Sequence, residues 1–232
     1  MLVLFLIDYE SGDFLDIYFV RHGKTQWNLQ SRYQGAGGDS PLLPESYKEM
    51  HELAKYYYNV KFNRIYSSPI KRARVTAMTI SAGLKCHPPV SLWSRLEEFH
   101  LGKMEGMKFK DVKKKYPKEF DAFRNHPDKY DPTRIGGESF TQVIQRMTPA
   151  IKLIAQSNPL HSNVMVVSHG AALNAEVNAL LGTSLANLRQ RGGLANTSTT
   201  ILSTNDRGKT FHLIKWNNTK YISRKLDPTD VI

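Results

Sequence analysis

Along the chain, short runs of β-favouring apolar residues alternate with longer stretches whose apolar positions recur at helical spacing. Ile17–Val20 and Val164–Val167 are continuous apolar runs, the pattern of strands covered on both faces. Asn63–Ser67 and Pro88–Leu92 read as further short strands, and Thr197–Ser203 and Phe211–Trp216 as a pair joined across Asn205-Asp206-Arg207-Gly208. Between them, Pro44–Val60 carries Met50, Leu53, Ala54 and Tyr57 on one helical face. Ile70–Gly83 is predicted as a helix with Pro69 at its start and Gly83 at its stop. Glu138–Ser157 has a stripe of Phe140, Val143, Ile144, Met147, Ile151 and Ile154, and Ala171–Leu181 is a helix ended by Gly182. Thr25 is positioned to cap a short helix or turn within Thr25–Gln34, and Lys108 to about His126 reads as helical, interrupted by Pro117. Gly35–Pro41 and Asn125–Gly137 are loops by composition. Strand and helix alternate without repeat, low-complexity tract or linker, which predicts one α/β domain.

The two ends need separate treatment. Met1–Ile7 is apolar but has no basic residues before it and is far shorter than the roughly 20 residues of a spanning helix. It is expected to be an extra strand, a packing arm or an extension. The tail after Tyr221 is polar and expected to fray. In a chain of 232 residues, Cys86 is the single cysteine, so no internal disulfide can form and nothing points to secretion; a cytoplasmic location is expected. The excess of 32 Lys and Arg over 21 Asp and Glu favours anionic ligands. No nucleic-acid motif accompanies that charge, and Lys113-Lys114-Lys115 reads as a solvated helix face. No specific nucleic acid and no membrane is therefore expected as a partner.

The candidate chemistry lies at strand ends. Both continuous apolar runs stop on a histidine followed by glycine, as Arg21-His22-Gly23 and Ser168-His169-Gly170. In open α/β sheets, ligands bind at the C-terminal edge of the strands. Arg72 falls in the first turn of a helix, a position that already favours anions. If His22, His169, Arg21, Arg72 and Glu98 converge, two guanidiniums would grip phosphoryl oxygens and one imidazole could attack phosphorus. Glu98 could then move the proton to and from the leaving oxygen. Each residue alone has a plainer reading, the histidines as hydrogen-bonded strand ends and Glu98 as a surface carboxylate. A zinc site built from His22, His169 and Glu98 lacks any supporting spacing such as H-E-x-x-H, and the glycines at 35–38 match neither G-x-G-x-x-G nor the P-loop pattern.

Taken together, these stretches resemble a known family. Arg21-His22-Gly23-Lys24-Thr25 with Asn28 and Arg32-Tyr33-Gln34-Gly35 is similar to the signature of the histidine phosphatase, or phosphoglycerate mutase-like, superfamily. Ser67-Ser68-Pro69-Ile70-Lys71-Arg72-Ala73 with Thr76-Ala77 resembles its second arginine motif, and Leu96-Glu97-Glu98 with Gly102 and Glu105-Gly106 its acid segment. Gly136-Gly137-Glu138-Ser139 and Val167-Ser168-His169-Gly170 are similar to the remaining blocks, in the family's order, up to Trp216–Thr219. The resemblance implies a three-layer α/β/α sandwich with a mostly parallel central sheet over residues 16–220, preceded by an extension (1–15) and followed by a tail (221–232). It implies His22 as nucleophile, Arg21, Arg72 and His169 as the phosphate pocket, and Glu98 as proton donor. Asn28, Gln34, Gly35 and Gly170 would line the phosphoryl or substrate side, with no metal and no cofactor. Lys24 stands where the family more often has glutamate, and is expected to make the pocket mouth more basic. Gly35–Gly38 and the missing glycine near Ser46-Tyr47 also depart from the pattern.

Within such a family, the chain could hydrolyse a small phosphomonoester or act as a 2,3-bisphosphoglycerate-dependent phosphoglycerate mutase. A non-catalytic anion-binding module is a third reading. The stretch between Glu98 and His169 is shorter than the resemblance implies for mutases, which use an insertion there to close the site. A more open site admits water to a phosphohistidine and favours hydrolysis. Lys24, Arg32, Lys103 and Arg134 are expected as contacts to acidic substrates.

Overall fold

The computed structural model describes residues 13–231; the expectation for Met1–Ile7 lies outside them. Six strands form one sheet in the order β3-β2-β4-β1-β5-β6. They are β1 (Leu15–Arg21), β2 (Phe62–Ser67), β3 (Val90–Leu92), β4 (Ser162–Ser168), β5 (Thr199–Thr204) and β6 (His212–Asn218). The first four are mutually parallel, and the β5–β6 hairpin adds to β1 with β5 antiparallel. β1 and β4 run in register from Leu15↔Ser162 to Arg21↔Ser168.

Strict alternation sorts the inner strands into two cores. Ile17, Phe19, Val164 and Val166 face a cluster completed by α6 (Phe140–Ser157), α7 (Gly170–Leu180), α4 (Phe109–Lys115) and α5 (Pro117–Asn125). Tyr18, Val20, Met165 and Val167 face the other cluster, against α2 (Pro44–Tyr56) and α3 (Lys71–Gly83). Helices on both faces of a mostly parallel sheet make a three-layer α/β/α sandwich, and explain why the central strands read as unbroken apolar runs. The short helix α1 (Gln26–Leu29) starts on Thr25, whose hydroxyl and backbone N–H both engage Asn28 in a capping box.

The helix starts and stops differ in detail from the sequence pattern. α2 ends at Tyr56 rather than Val60, because the Val60 amide turns back to the Tyr57 carbonyl. Pro117 does not interrupt one helix but opens a second, where its missing N–H is harmless. Pro69 precedes α3 altogether, with Ile70 as its N-cap.

The tail is the larger correction. It is not frayed: the Asp230 side chain is wholly buried, Val231 bridges to Ala195, and the Asn196 amide donates to the Asp230 carbonyl. What anchors it is charge. Lys24 is 2% exposed, and its ammonium sits 2.9 Å from Asp227 and 3.0 Å from Asp230. Arg224 binds Asp230 and the buried Glu49, so one polar strand of tail is laced to α2 and to the turn after β1. Burial opposes ionisation of Asp230, but the bonds from Arg224, the Asp227 amide and Lys24 outweigh it and hold the carboxyl below its ordinary range. Its contribution to stability is therefore present above the unfolded carboxylate range and is lost as the pH falls into the acid. Asp230→Ala leaves the buried Lys24 ammonium with the half-exposed Asp227 alone and takes a carboxylate from Arg224, and should destabilise the fold by on the order of 3 kcal/mol in urea titrations at neutral pH. Adding Lys24→Met should recover part of that loss, and a double variant no more stable than the single would show the two residues to be uncoupled.

Candidate active site

The parallel ladder continues past the strand ends, and it sets the site. The His22 amide donates to the Ser168 carbonyl (2.9 Å), and the Ser68 amide to the Val167 carbonyl (3.0 Å). The residues that follow β1, β4 and β2 are therefore neighbours at one edge, where β3 also ends. His22 and His169 face each other with ring centroids 5.2 Å apart and a 60° tilt. Arg72, in the first turn of α3, places its Nε 3.3 Å from His22 Nε2. The sequence-predicted quintet of Arg21, His22, Arg72, Glu98 and His169 is buried throughout.

His22 is engaged at both ring nitrogens, its Nε2 accepting from Arg72 Nε at 3.3 Å, and His169 at one. His22 Nδ1 lies 2.8 Å from the Gly23 carbonyl, which can only accept, so Nδ1 carries the proton and Nε2 presents a lone pair. His169 Nε2 pairs with the Ser68 hydroxyl at 2.8 Å, leaving Nδ1 as the ring nitrogen without a hydrogen-bond partner. Burial, then the nearby guanidiniums of Arg72 and Arg21, hold His22 well below the ordinary histidine value. Burial and Arg72 do the same to His169. Two neutral imidazoles can share a small space that two imidazoliums could not.

The arginines are fixed by carbonyls more than by carboxylates. Arg21 donates from one terminal nitrogen to the Leu194 and Asp230 carbonyls, each at 2.7 Å, and its Nε has no partner. Burial lowers its pKa to about 10, opposed by the charges of Glu98 and Asp230. Arg72 donates to the Gly38 (2.8 Å) and Gly35 (3.0 Å) carbonyls and to Asp39 (3.2 Å). This is the use of the glycine loop: a Cβ on Gly35 would come within 2.4 Å of the Phe99 carbonyl and 2.3 Å of Glu105, so the backbone could not close on Arg72.

Glu98 reaches the site from the segment beyond β3. Its Oε1 accepts from the Phe99 and Ala172 amides (3.0 and 2.8 Å) and its Oε2 from the Ala171 amide (3.1 Å), at the N-terminus of α7. Gly170 opens that helix, one residue before the amides that hold Glu98. Burial raises the Glu98 pKa above the ordinary value; the Phe99 amide, Arg72 and the helix amides restrain the rise.

Other predicted residues take supporting places. Asn28 Oδ1 accepts from the Thr25 amide and hydroxyl, and Gln34 Oε1 from the Thr25 hydroxyl at 2.7 Å, so both amide oxygens are held within the turn. The Gln34 and Gly35 carbonyls face Arg72. Lys24 does not line a basic pocket mouth, because the tail carboxylates neutralise it. Arg32 is bound to Gln30 and the Gly106 carbonyl, Lys103 to the Arg134 carbonyl, and Arg134 to Glu119. Of the four, Lys24 alone is buried; Arg32 is half-buried and Lys103 and Arg134 are exposed, with one or two partners each. Among the described residues, no group of three or more His, Cys, Asp or Glu is placed to hold a metal ion, and no helix is long and apolar enough to cross a membrane.

Three supports have roles that the sequence pattern does not show, Ser68 among them although it lies in the arginine motif. Ser68 orients His169, and Asn196 donates to the His22 carbonyl at 3.0 Å. Arg146 clasps the Arg95, Glu97 and Glu98 carbonyls at 2.8–2.9 Å while paired with Glu138, which steadies the acid segment. Arg146 looks like an ordinary polar position of α6, and Asn196 sits in a loop; only the contact reveals either.

Comparisons with known proteins show the family. The model of the histidine phosphatase superfamily (branch 1) matches residues 17–219. A metal-independent phosphoserine phosphatase of Arabidopsis thaliana is 30% identical over 209 residues, 90% of this chain and 83% of that protein. A 6-phosphofructo-2-kinase/fructose-2,6-bisphosphatase of Caenorhabditis elegans is 33% identical over 159 residues, which are 68% of this chain, and the chain spans only 32% of that protein. The solved structure of Bacillus stearothermophilus YhfR superposes with a TM-score of 0.82 at 32% identity, covering 90% of this chain and all of that one. With its two histidines, two arginines and one glutamate gathered at the C-terminal edge of a sheet that this family shares, the chain belongs to the histidine phosphatase superfamily.

Proposed function

We propose that this chain hydrolyses small phosphomonoesters through a phosphohistidine on His22. The observation that carries the reading is the fixed tautomer. With Nδ1–H tied to the Gly23 carbonyl, the Nε2 lone pair is presented beside Arg72, 5.2 Å ring to ring from His169. In the first step Nε2 forms an N–P bond as the bond from phosphorus to the ester oxygen breaks, and Glu98 gives its proton to the departing oxygen. In the second, water attacks phosphorus, Glu98 takes a proton back, the N–P bond breaks and inorganic phosphate leaves with the Nε2 lone pair restored. Oε2 is the oxygen suited to that traffic, since it accepts one backbone N–H and Oε1 accepts two. Arg21, Arg72 and the unpartnered Nδ1 of His169 stabilise the phosphoryl oxygens while charge shifts toward the leaving group.

The protonation states suit these roles. His22 attacks only as the neutral ring, and its lowered pKa keeps it neutral to more acid pH than an ordinary histidine. Glu98 donates only as the acid, and its raised pKa keeps the proton above the usual carboxylate range. On the acid side, activity should therefore fall only below the ordinary histidine range; on the alkaline side it falls as Glu98 ionises.

His22→Ala should abolish trapping of labelled phosphate on acid-quenched protein and reduce turnover of every phosphomonoester to background. Unchanged turnover in that variant would end the reading. Glu98→Gln should lower kcat by about 10²- to 10⁴-fold on alkyl phosphates, whose leaving oxygen needs a proton, and far less on p-nitrophenyl phosphate. An equal loss on both substrates would remove Glu98 as the acid. Given 3-phosphoglycerate and catalytic 2,3-bisphosphoglycerate, the protein should release phosphate; isomerisation without release would make it a mutase.

A further inference from the structure

The tail is not only fastened to the fold; it reaches the arginine beside the nucleophile, and nothing in the proposed hydrolysis uses it. Arg21 Nη1 carries two N–H groups, and the Leu194 and Asp230 carbonyls accept from that nitrogen at 2.7 Å each. The second acceptor is supplied from 209 positions along the chain. A guanidinium tied at one acceptor swings about it; tied at two, it holds the rest of its planar fork, Nε and Nη2, in one direction. The same Asp230 carbonyl accepts from the Asn196 amide at 2.9 Å, and Asn196 Nδ2 donates to the His22 carbonyl at 3.0 Å. One peptide group of the tail therefore bears on both residues of the Arg21-His22 turn.

Charge, rather than apolar burial, holds that peptide group there. Beyond Tyr221 the tail contributes no buried apolar side chain among the described residues. The Asp230 carboxylate is met instead by Lys24 (3.0 Å), by two nitrogens of Arg224 (2.8 and 2.5 Å) and by the Asp227 amide (2.6 Å). Arg224 Nε donates to Glu49 (2.6 Å), whose other oxygen accepts from the Thr197 hydroxyl (3.1 Å). Thr197 is buried with a φ of 57°, a left-handed conformation that a β-branched residue adopts only where its surroundings dictate it. Its amide donates to the Arg21 carbonyl (3.1 Å), and its own carbonyl accepts from the Tyr221 hydroxyl (2.7 Å). The tail thus fixes a strained loop residue and the turn after β1 together.

This lace lies outside what the family match covers. The match ends at residue 219, before Arg224, Asp227 and Asp230. Lys24 stands where the family more often has glutamate, and a carboxylate there would repel Asp227 and Asp230. The lysine and the tail carboxylates answer each other, and the arginine they steady is one that the proposed reaction needs.

We propose that Arg224 and Asp230 are positioning residues for phosphate: by docking the tail they aim Arg21, so that tail docking and phosphate binding strengthen each other. The proposal rests on the phosphomonoester reading for its ligand, but its test reads binding rather than turnover. Such coupling is reciprocal, and about fivefold is its ordinary lower bound. Calorimetry with inorganic phosphate should give Arg224→Met and Asp230→Asn a Kd about fivefold or more above that of the wild type. Arg224→Lys, which keeps a cation for Asp230, should recover part of the loss. In the wild-type protein, saturating phosphate should slow hydrogen exchange of the Asp227 and Asp230 amides, which bond within the tail turn, by about fivefold or more. The Lys209 and Thr210 amides, bonded to Asp206 in the β5–β6 turn, should not change. A tail that only stabilises the fold would lower the urea midpoint of the variants and leave the phosphate Kd of the folded protein and the tail exchange unmoved. Either quantity unmoved overturns the proposal, and the exchange measurement decides alone where a substitution prevents folding. Absence of phosphohistidine in the wild type would count instead against hydrolysis and leave both readouts intact; a wild type that binds no phosphate would overturn the two readings together.

Discussion

One constraint governs this molecule: the in-register parallel pairing of β1 with β4. Because Arg21 lies opposite Ser168, the next residue of each strand is a histidine, and the two rings are delivered side by side by backbone hydrogen bonds. A slip of one position would turn every side chain of β1 to the opposite face, exchanging Ile17 and Phe19 with Tyr18 and Val20 between two filled cores. The apolar packing of both faces thus holds the register, and the register holds the imidazole pair. Packing and chemistry are not separate layers here.

That delivery creates an electrostatic problem, since two arginines and two histidines meet in a buried space. Backbone dipoles carry much of the solution. Arg21 rests on two carbonyls and Arg72 on three, while Glu98 is held by three amides. Oriented peptide groups fix each charge without neutralising it, and Arg72 adds a carboxylate partner, Asp39, at 3.2 Å. The histidines answer the same pressure by staying neutral. Where full neutralisation does occur, as at Lys24 with Asp227 and Asp230, the charge serves to fasten the tail instead.

The sequence revealed much of this, and the limits of what it revealed are physical. The central strands and the histidine pair were legible because each strand is buried on both faces and each ends on a motif too polar to continue inside. Arg72 was legible because helix starts after strands have recognisable punctuation. The tail was not, because its order comes from ion pairs between residues some 200 positions apart, and a polar segment with no apolar period looks the same whether docked or free. Lys24 was misjudged for that reason: its charge was visible, its partners were not. Arg146 and Asn196 escaped because they act on main-chain carbonyls, which carry no residue identity to search for.

The same reasoning applies to the cations expected to meet an acidic substrate. Arg32, Lys103 and Arg134 each direct one donor to a carbonyl or carboxylate of the protein. Arg124 and Arg189 stand out in no motif, yet each stacks on two aromatic rings and, like Arg21, has a buried nitrogen without a hydrogen-bond partner. Proximity in sequence measures where a charge is placed; what it can bind depends on whether the fold has already given it a partner. An arginine stacked on aromatic rings is oriented without being neutralised, because the ring face supplies geometry and only a weak counter-charge.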